Sequence, residues 1–291
     1  MKLIKKYFAS AYFIKIAFSL LLVCGLVARS DDKEEPEVVG NYPTTSFSKI
    51  QLSEVYTGDA QPVTTTHTYA FNRGRLSDYT SKQTYFAIEP VEMQTTTTIS
   101  YSDHQAIVTD GFGNVSTYTL DDKGYAISCT RKEGGGNTRT YTFSYLTNIE
   151  DKCYLKNITE TLEDGKVYAT IDIDHSTFRA LRITLHNGTF DQVYTATTAT
   201  NNEIENLSEI PCLFLAELYP LSLHSAALYG KLLGEPFKTL ITQIIPDGNT
   251  ENNETTTYTY SLNKRGIVTS CNETINSNGK NYERTINYVI E

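Results

Sequence analysis

The chain of 291 residues has no tryptophan, two methionines, eight prolines and five cysteines. Each scarcity closes off a class of protein. No Cys-x-x-Cys pair occurs, so neither a zinc ribbon nor a thioredoxin-type site is expected. Besides Cys24 the cysteines are Cys129, Cys153, Cys212 and Cys271, and their spacing selects no disulfide pairing. Basic clusters are missing as well. The 25 Lys and Arg stand against 34 Asp and Glu, a net charge of −9, so nucleic acid is not an expected partner. A long apolar run is also lacking. The cleanest one, 16–23, has eight residues, whereas a membrane-crossing helix needs about 20.

That short run instead carries an address. Lys2, Lys5 and Lys6 precede it, and a short apolar core behind a basic start reads as an export signal over residues 1–23. It closes on Leu21-Leu22-Val23-Cys24-Gly25, which resembles a bacterial lipobox, although Val23 stands where a small residue is usual. In a lipobox the cysteine becomes the new N-terminus and carries the lipid, so Cys24 is the expected attachment site. Each buried methylene contributes about 0.8 kcal/mol, and two or three acyl chains hold a protein firmly on a membrane. Residues 24–43, rich in acid around Asp31, Asp32, Glu34, Glu35 and Glu37, have no apolar periodicity and are expected to form a disordered tether. Acid after a lipidated cysteine resembles the surface-export signal of Bacteroides-type lipoproteins. The sequence implies anchoring to the outer membrane and does not choose between cell surface and periplasmic face.

The remainder, 44–291, reads as one antiparallel β domain. Tyrosine is heavily used, at 21 residues, and threonine comes in runs such as 64–66 and 95–98; both favour strands. Alternation is clear in 140–145, where Tyr141, Phe143 and Tyr145 share a face, and in 257–262, where Tyr258, Tyr260 and Leu262 do. Further strands are expected near 63–71, 95–101, 105–110, 118–120, 168–173, 180–186 and 192–197. Asn-Gly and Asp-Gly turns separate them at hairpin spacing. A repeat is present: YTLDDKGYAISC, 118–129, aligns without a gap to YSLNKRGIVTSC, 260–271. Each copy is a strand, a turn closed by Gly124 or Gly266, and a return strand. A hairpin cannot bury its apolar face alone, so several must join one sheet. A short helical insertion interrupts the pattern near 210–235. Leu223, Ala226, Ala227 and Leu233 fall on one face of a helix expected over 223–233, with Ser222 as N-cap, Gly234 just past the end and Pro236 as stop. A shorter turn is expected at 213–218. So apolar a helix needs cover, which the concave side of a curved sheet would supply.

The repeated hairpins, the segments AELYPL and AALYGKLLGEPFKTL within 216–240, and the lipobox with its acidic tether together resemble a family of uncharacterised Bacteroides lipoproteins, a domain of unknown function with a porin-like fold. The resemblance covers roughly 44–291. It implies a large meander of hairpins curled into a barrel-like sheet, and no activity. A porin is a different expectation. A lipid-facing barrel needs an outer apolar band about 25 Å tall, a lipid anchor on such a barrel is redundant, and this chain ends Tyr288-Val289-Ile290-Glu291 rather than on an aromatic residue. A water-facing barrel on a tether fits better.

Candidate chemistry is sparse. Asp172 and Asp174 share a strand face at a spacing that suits paired carboxylates, but Ile171 and Ile173 take the core side, which turns both acids to solvent. His67, His104, His175, His186 and His224 are scattered; only His175 and His186 are placed to meet across a hairpin. No cofactor and no metal site is expected. The leading expectation is a non-enzymatic binding module for a glycan, lipid or protein ligand. The alternative is a hydrolase of envelope or dietary polymer acting through acids such as Asp172 and Asp174; carboxylates clustered in one cleft would favour it.

Overall fold

The computed structural model describes residues 42–57, 64–86, 90–148, 150–177, 180–188, 190–198, 203–248, 254–277 and 279–291. The signal segment, Cys24 and the tether up to residue 41 lie outside the described residues. Sixteen strands follow in chain order: β1 (Lys49–Thr57), β2 (Thr64–Asn72), β3 (Arg75–Phe86), β4 (Pro90–Ser102), β5 (Gln105–Thr109), β6 (Val115–Leu120), β7 (Ala126–Lys132), β8 (Thr138–Thr147), β9 (Cys153–Leu162), β10 (Val167–Thr177), β11 (Ala180–Asn187), β12 (Phe190–Thr197), β13 (Gln243–Pro246), β14 (Thr255–Leu262), β15 (Val268–Ser277) and β16 (Lys280–Ile290). Each pairs antiparallel with its neighbour, and β1 pairs with β16, Ile50 opposite Ile290, which closes the barrel.

Period-two alternation sets the two faces of this wall. Ile50, Leu52, Tyr141, Phe143, Ile171, Ile173, Ile286 and Tyr288 point inward and are buried. The outward positions are mostly polar, with isolated apolar exceptions such as Ile245 and Val289. One row crosses five strands as Thr119, Ser128, Thr142, Thr159 and Thr170, each the register partner of the next. This is the reverse of a lipid-facing barrel, whose outer band is apolar.

The repeat lies in the β6–β7 and β14–β15 hairpins. In each turn one side-chain oxygen takes two backbone N–H groups: Asp121 from Lys123 and Tyr125, Asn263 from Arg265 and Ile267. Such Asx turns need a left-handed residue to close, and Gly124 and Gly266 supply it at φ 83° and 78°.

The insertion between β12 and β13 is shorter in helix than expected. It holds α1 (Leu213–Glu217), a 3₁₀ turn (Leu221–His224) and α2 (Ser225–Tyr229). The expected single helix over 223–233 is therefore corrected. Ser222 lies within the 3₁₀ turn rather than capping, and Lys231, at φ 57°, ends the helical run before Leu233. The chain turns there because Leu232 gives its carbonyl to the N–H of Ala126 in β7 at 2.7 Å, a wall contact that a continuing helix would forgo. The expected cover is as read. The insertion touches wall residues all round: Tyr229 stacks on Tyr69 at 3.8 Å, Phe214 meets Tyr194, Tyr219 reaches Glu160, and Glu217 reaches Arg284. It is a plug inside the barrel.

Candidate functional site

The two ends of the barrel differ. At one, the closed end, the plug enters and the β2–β3, β4–β5, β6–β7, β8–β9 and β14–β15 turns gather. The interior there is apolar, built from Leu76, Leu120, Leu221, Ala227, Leu232 and Leu233. His224 sits deep in this core. Its Nδ1 lies 2.7 Å from the Tyr118 hydroxyl, and the Tyr141 ring packs edge-on at 4.4 Å. Burial, helped by Arg131, lowers its pKa to about 3, so it is a neutral structural residue.

Toward the other, open end the inner face becomes charged. Glu54 of β1, Glu273 of β15 and Arg284 of β16 occupy inward positions, and Glu217 comes from the end of α1. Arg284 Nε lies 2.6 Å from Glu273, and its Nη1 lies 2.6 Å from Glu217 and 3.4 Å from Glu54. His67 Nε2 is 3.8 Å from Glu54, while its Nδ1 is 2.7 Å from the Tyr79 hydroxyl. Three carboxylates thus share one guanidinium. The guanidinium side chain is 5 % exposed, yet Glu217, on a helix inside the barrel, is 49 % exposed. A cup therefore opens beside it. Although solvent reaches half of this side chain, the surrounding barrel wall crowds its carboxyl, and that desolvation raises it to about 7, against the pull of Arg284 and with the push of Glu273 and Glu54. By strand alternation Ser81, Thr95 and Thr97 share this inner wall, and Val91, Met93 and Tyr282, all exposed, continue it as an apolar lip.

A second polar arc fastens the plug. Glu160, fully buried on β9, accepts hydrogen bonds from Arg139 at 2.6 Å and from the Tyr219 hydroxyl at 2.5 Å. Nearby, Arg131 donates to Ser116 at 3.0 Å and to Asp110 at 3.2 Å.

The residues singled out from sequence fall elsewhere, His67 excepted. Asp172 and Asp174 are exposed on the outer wall, where Asp172 accepts from Asn157 at 2.8 Å. His175 and His186 do not meet. His186 faces Thr170 in register, whereas His175 lies toward the closed end against the Leu155 carbonyl. His104 sits in the β4–β5 turn at φ 54°. The four cysteines described are free thiols. Burial raises Cys129 and Cys271 to about 12 and Cys212 to about 11, far from a reactive thiolate. Among the described residues no group of three His, Cys, Asp or Glu is placed to hold a metal ion. The sequence reading passed over Glu54, Glu217, Glu273 and Arg284. For three of them a signal existed: a charge standing in the apolar phase of a strand, as in Ile50-x-Leu52-x-Glu54, Cys271-x-Glu273-x-Ile275 and Arg284-x-Ile286-x-Tyr288.

No match is found among curated proteins. Among solved structures, a porin-like protein from Bacteroides uniformis is 58 % identical, with a TM-score of 0.82, over 87 % of this chain and 99 % of that one. A porin-like protein from Bacteroides vulgatus, 11 % identical with a TM-score of 0.53 over 86 % of this chain and 99 % of that one, shares the fold. The family model for a domain of unknown function with porin-like fold (DUF4595) matches residues 53–270, and the chain belongs to that family.

Proposed function

We propose that this protein is an envelope lipoprotein, held on the outer membrane by lipid on Cys24, whose barrel stands in water as a non-enzymatic binding module. The observation that carries the reading is the polar outer wall of a barrel whose apolar face is turned inward and filled by its own plug. Such a wall gains nothing from contact with acyl chains, so attachment falls to the N-terminal segment. The ligand site is the open-end cup. Its carboxylates, hydroxyls and exposed Tyr282 suit a glycan, whose hydroxyl groups donate to carboxylates and whose ring faces stack on tyrosine; lipid and protein ligands are the other occupants to compare. Metabolic labelling with a fatty-acid analogue should mark the wild type and not Cys24→Ala, and equal labelling of both overturns the anchor. Titration with oligosaccharides, followed by tyrosine fluorescence, should give saturable binding that Arg284→Met weakens at least tenfold. Binding unaffected by that change moves the site off the cup.

One observation favours a second reading, a hydrolase. Glu217 is a carboxyl that titrates about neutrality beside two further carboxylates, as a general acid requires. This acid lies in the cup, not at Asp172 and Asp174. Polymer turnover by the wild type that is lost in Glu217→Gln would replace binding by catalysis.

A further inference from the structure

The plug and the N-terminal segment of the domain share one polar lock at the closed end. Residues 42–48 cross that end as a strap. Tyr42 lies under the Arg75 guanidinium at 4.2 Å and gives its hydroxyl to the Ser102 carbonyl at 3.2 Å. The Thr45 N–H donates to the Gly74 carbonyl at 2.9 Å, and the Ser48 N–H to the Glu291 carbonyl at 2.7 Å. The strap rests directly on two turn glycines. A Cβ at Gly124 would come within 2.8 Å of Tyr42 Cα, and one at Gly74 within 2.7 Å of the Thr45 carbonyl oxygen.

From the plug, Lys231 reaches up to it. This lysine is 6 % exposed and sits at φ 57°, a conformation that a β-carbon disfavours. Its ammonium touches Glu209 at 3.1 Å, Glu235 at 3.2 Å and the Thr44 carbonyl at 3.0 Å, which uses all three of its donors. Glu209 also accepts the Thr45 hydroxyl at 2.6 Å. Two contacts thus run from plug to strap, and both meet at the Lys231–Glu209 pair. A buried ammonium left with fewer partners is costly, so loss of the strap falls first on this corner of the plug.

We propose that residues 42–48 are a latch on the plug, through which the state of the N-terminal segment is passed to the barrel interior. This goes beyond the binding reading and rests on it in one respect: a chain held at Cys24 passes any pull on its tether through this strap before the barrel feels it. The latch itself requires no lipid.

Coupling of this kind is reciprocal, so it can be read from both sides by hydrogen exchange on the full-length chain. In a Tyr42→Gly/Thr45→Val variant, plug amides that are hydrogen-bonded near the lock, those of Asn206, Leu232 and Glu235, should exchange at least tenfold faster, with those of β15 unchanged. In Lys231→Met the amides of Thr45 and Phe47 should accelerate in return, and in the milder Glu209→Gln they should do so to a smaller extent. Plug amides that keep their wild-type rates overturn the latch. So does an equal rise in plug and β15, which would make the strap one more part of global stability. Exchange is indifferent to acylation, so a failed Cys24 labelling leaves this outcome readable.

Discussion

The closed and open ends are made from the same strands, yet they hold together by different means. At the closed end, tight Asx turns, a strap and a plug exclude water, and stability comes from apolar burial. At the open end the same inner face carries Glu54, Glu273 and Arg284, and the lumen admits solvent to Glu217. The first end keeps its few charges, Lys231 with Glu209 and Glu235, paired over an apolar core; the second sets its charges beside solvent, with a carboxyl, Glu217, whose raised pKa makes it respond to pH. The contrast teaches that a plugged barrel can keep one end for stability and release the other for chemistry.

The sharpest challenge to this contrast is Leu232→Asp at the closed end. Leu232 is 3 % exposed, so the change both loses apolar burial and buries a carboxylate, on the order of 5 kcal/mol together. The whole barrel, followed by tyrosine fluorescence, should melt far below the wild type. Near-wild-type melting would show that the plug is not core. At the open end Arg284→Met should cost less at low pH than at high. It takes the shared guanidinium away from Glu217, Glu273 and Glu54, a loss of about 3–5 kcal/mol for a buried pair, and protonation of Glu217, whose pKa is raised to about 7, relieves part of it at the lower pH. Denaturant midpoints at pH 5 and pH 8 decide it; an equal loss at both breaks the assignment of charge to this end.

A finer comparison uses the repeat. Gly124→Val and Gly266→Val both force a side chain into positive φ, at about 1–3 kcal/mol. Gly124→Val should be the worse, because its Cβ meets the backbone of Tyr42, while at Gly266 the nearest atom is the tip of Leu207 at 3.0 Å. Equal melting temperatures for the two would mean the strap gives way freely. The smallest effect belongs to Glu217→Gln. A carboxyl raised from its ordinary 4.5 to about 7 favours folding in its protonated form, so its contribution is full below about 4.5 and is lost as pH rises through 7. The Gln variant should show a flatter stability profile between pH 5 and 8 than the wild type. Parallel profiles would place the pH response elsewhere.

Much of the wall was legible in the sequence because strands announce themselves by alternation. Tyr141, Phe143 and Tyr145 share a face as read, which is the inner one, and Gly124 and Gly266 close the two aligned turns as read, both at positive φ. The plug was legible as apolar and late in the chain, but its helix was read too long. Spacing reports which residues can share a helix face, whereas Lys231 leaves the helix for partners, Glu209 and Thr44, that lie far away in sequence. The cup was missed for a similar reason. Glu54, Glu217, Glu273 and Arg284 are spread over most of the chain, and only closure of the sheet, β1 on β16, brings the first beside the last. Polar outward residues such as Asp172 were more visible as candidates because the eye looks for neighbours in sequence.

The position of the plug between β12 and β13 bears on the order of assembly. Twelve strands precede it and four follow. In a chain that emerges N-terminus first the apolar plug therefore arrives while the sheet is still an open trough, and β1 waits for β16, more than 200 residues away, before its free edge is covered. Loop closure over such a separation is slow. A plug inserted into a finished barrel would have to carry its aromatic and charged residues in through one narrow mouth. In this chain order the trough can instead fold onto the plug, with the last strands, β14 to β16, completing the wall around a core already in place. The plug is then the mould on which the barrel is cast, and Arg284, on the final strand, clasps Glu217 as the ring shuts.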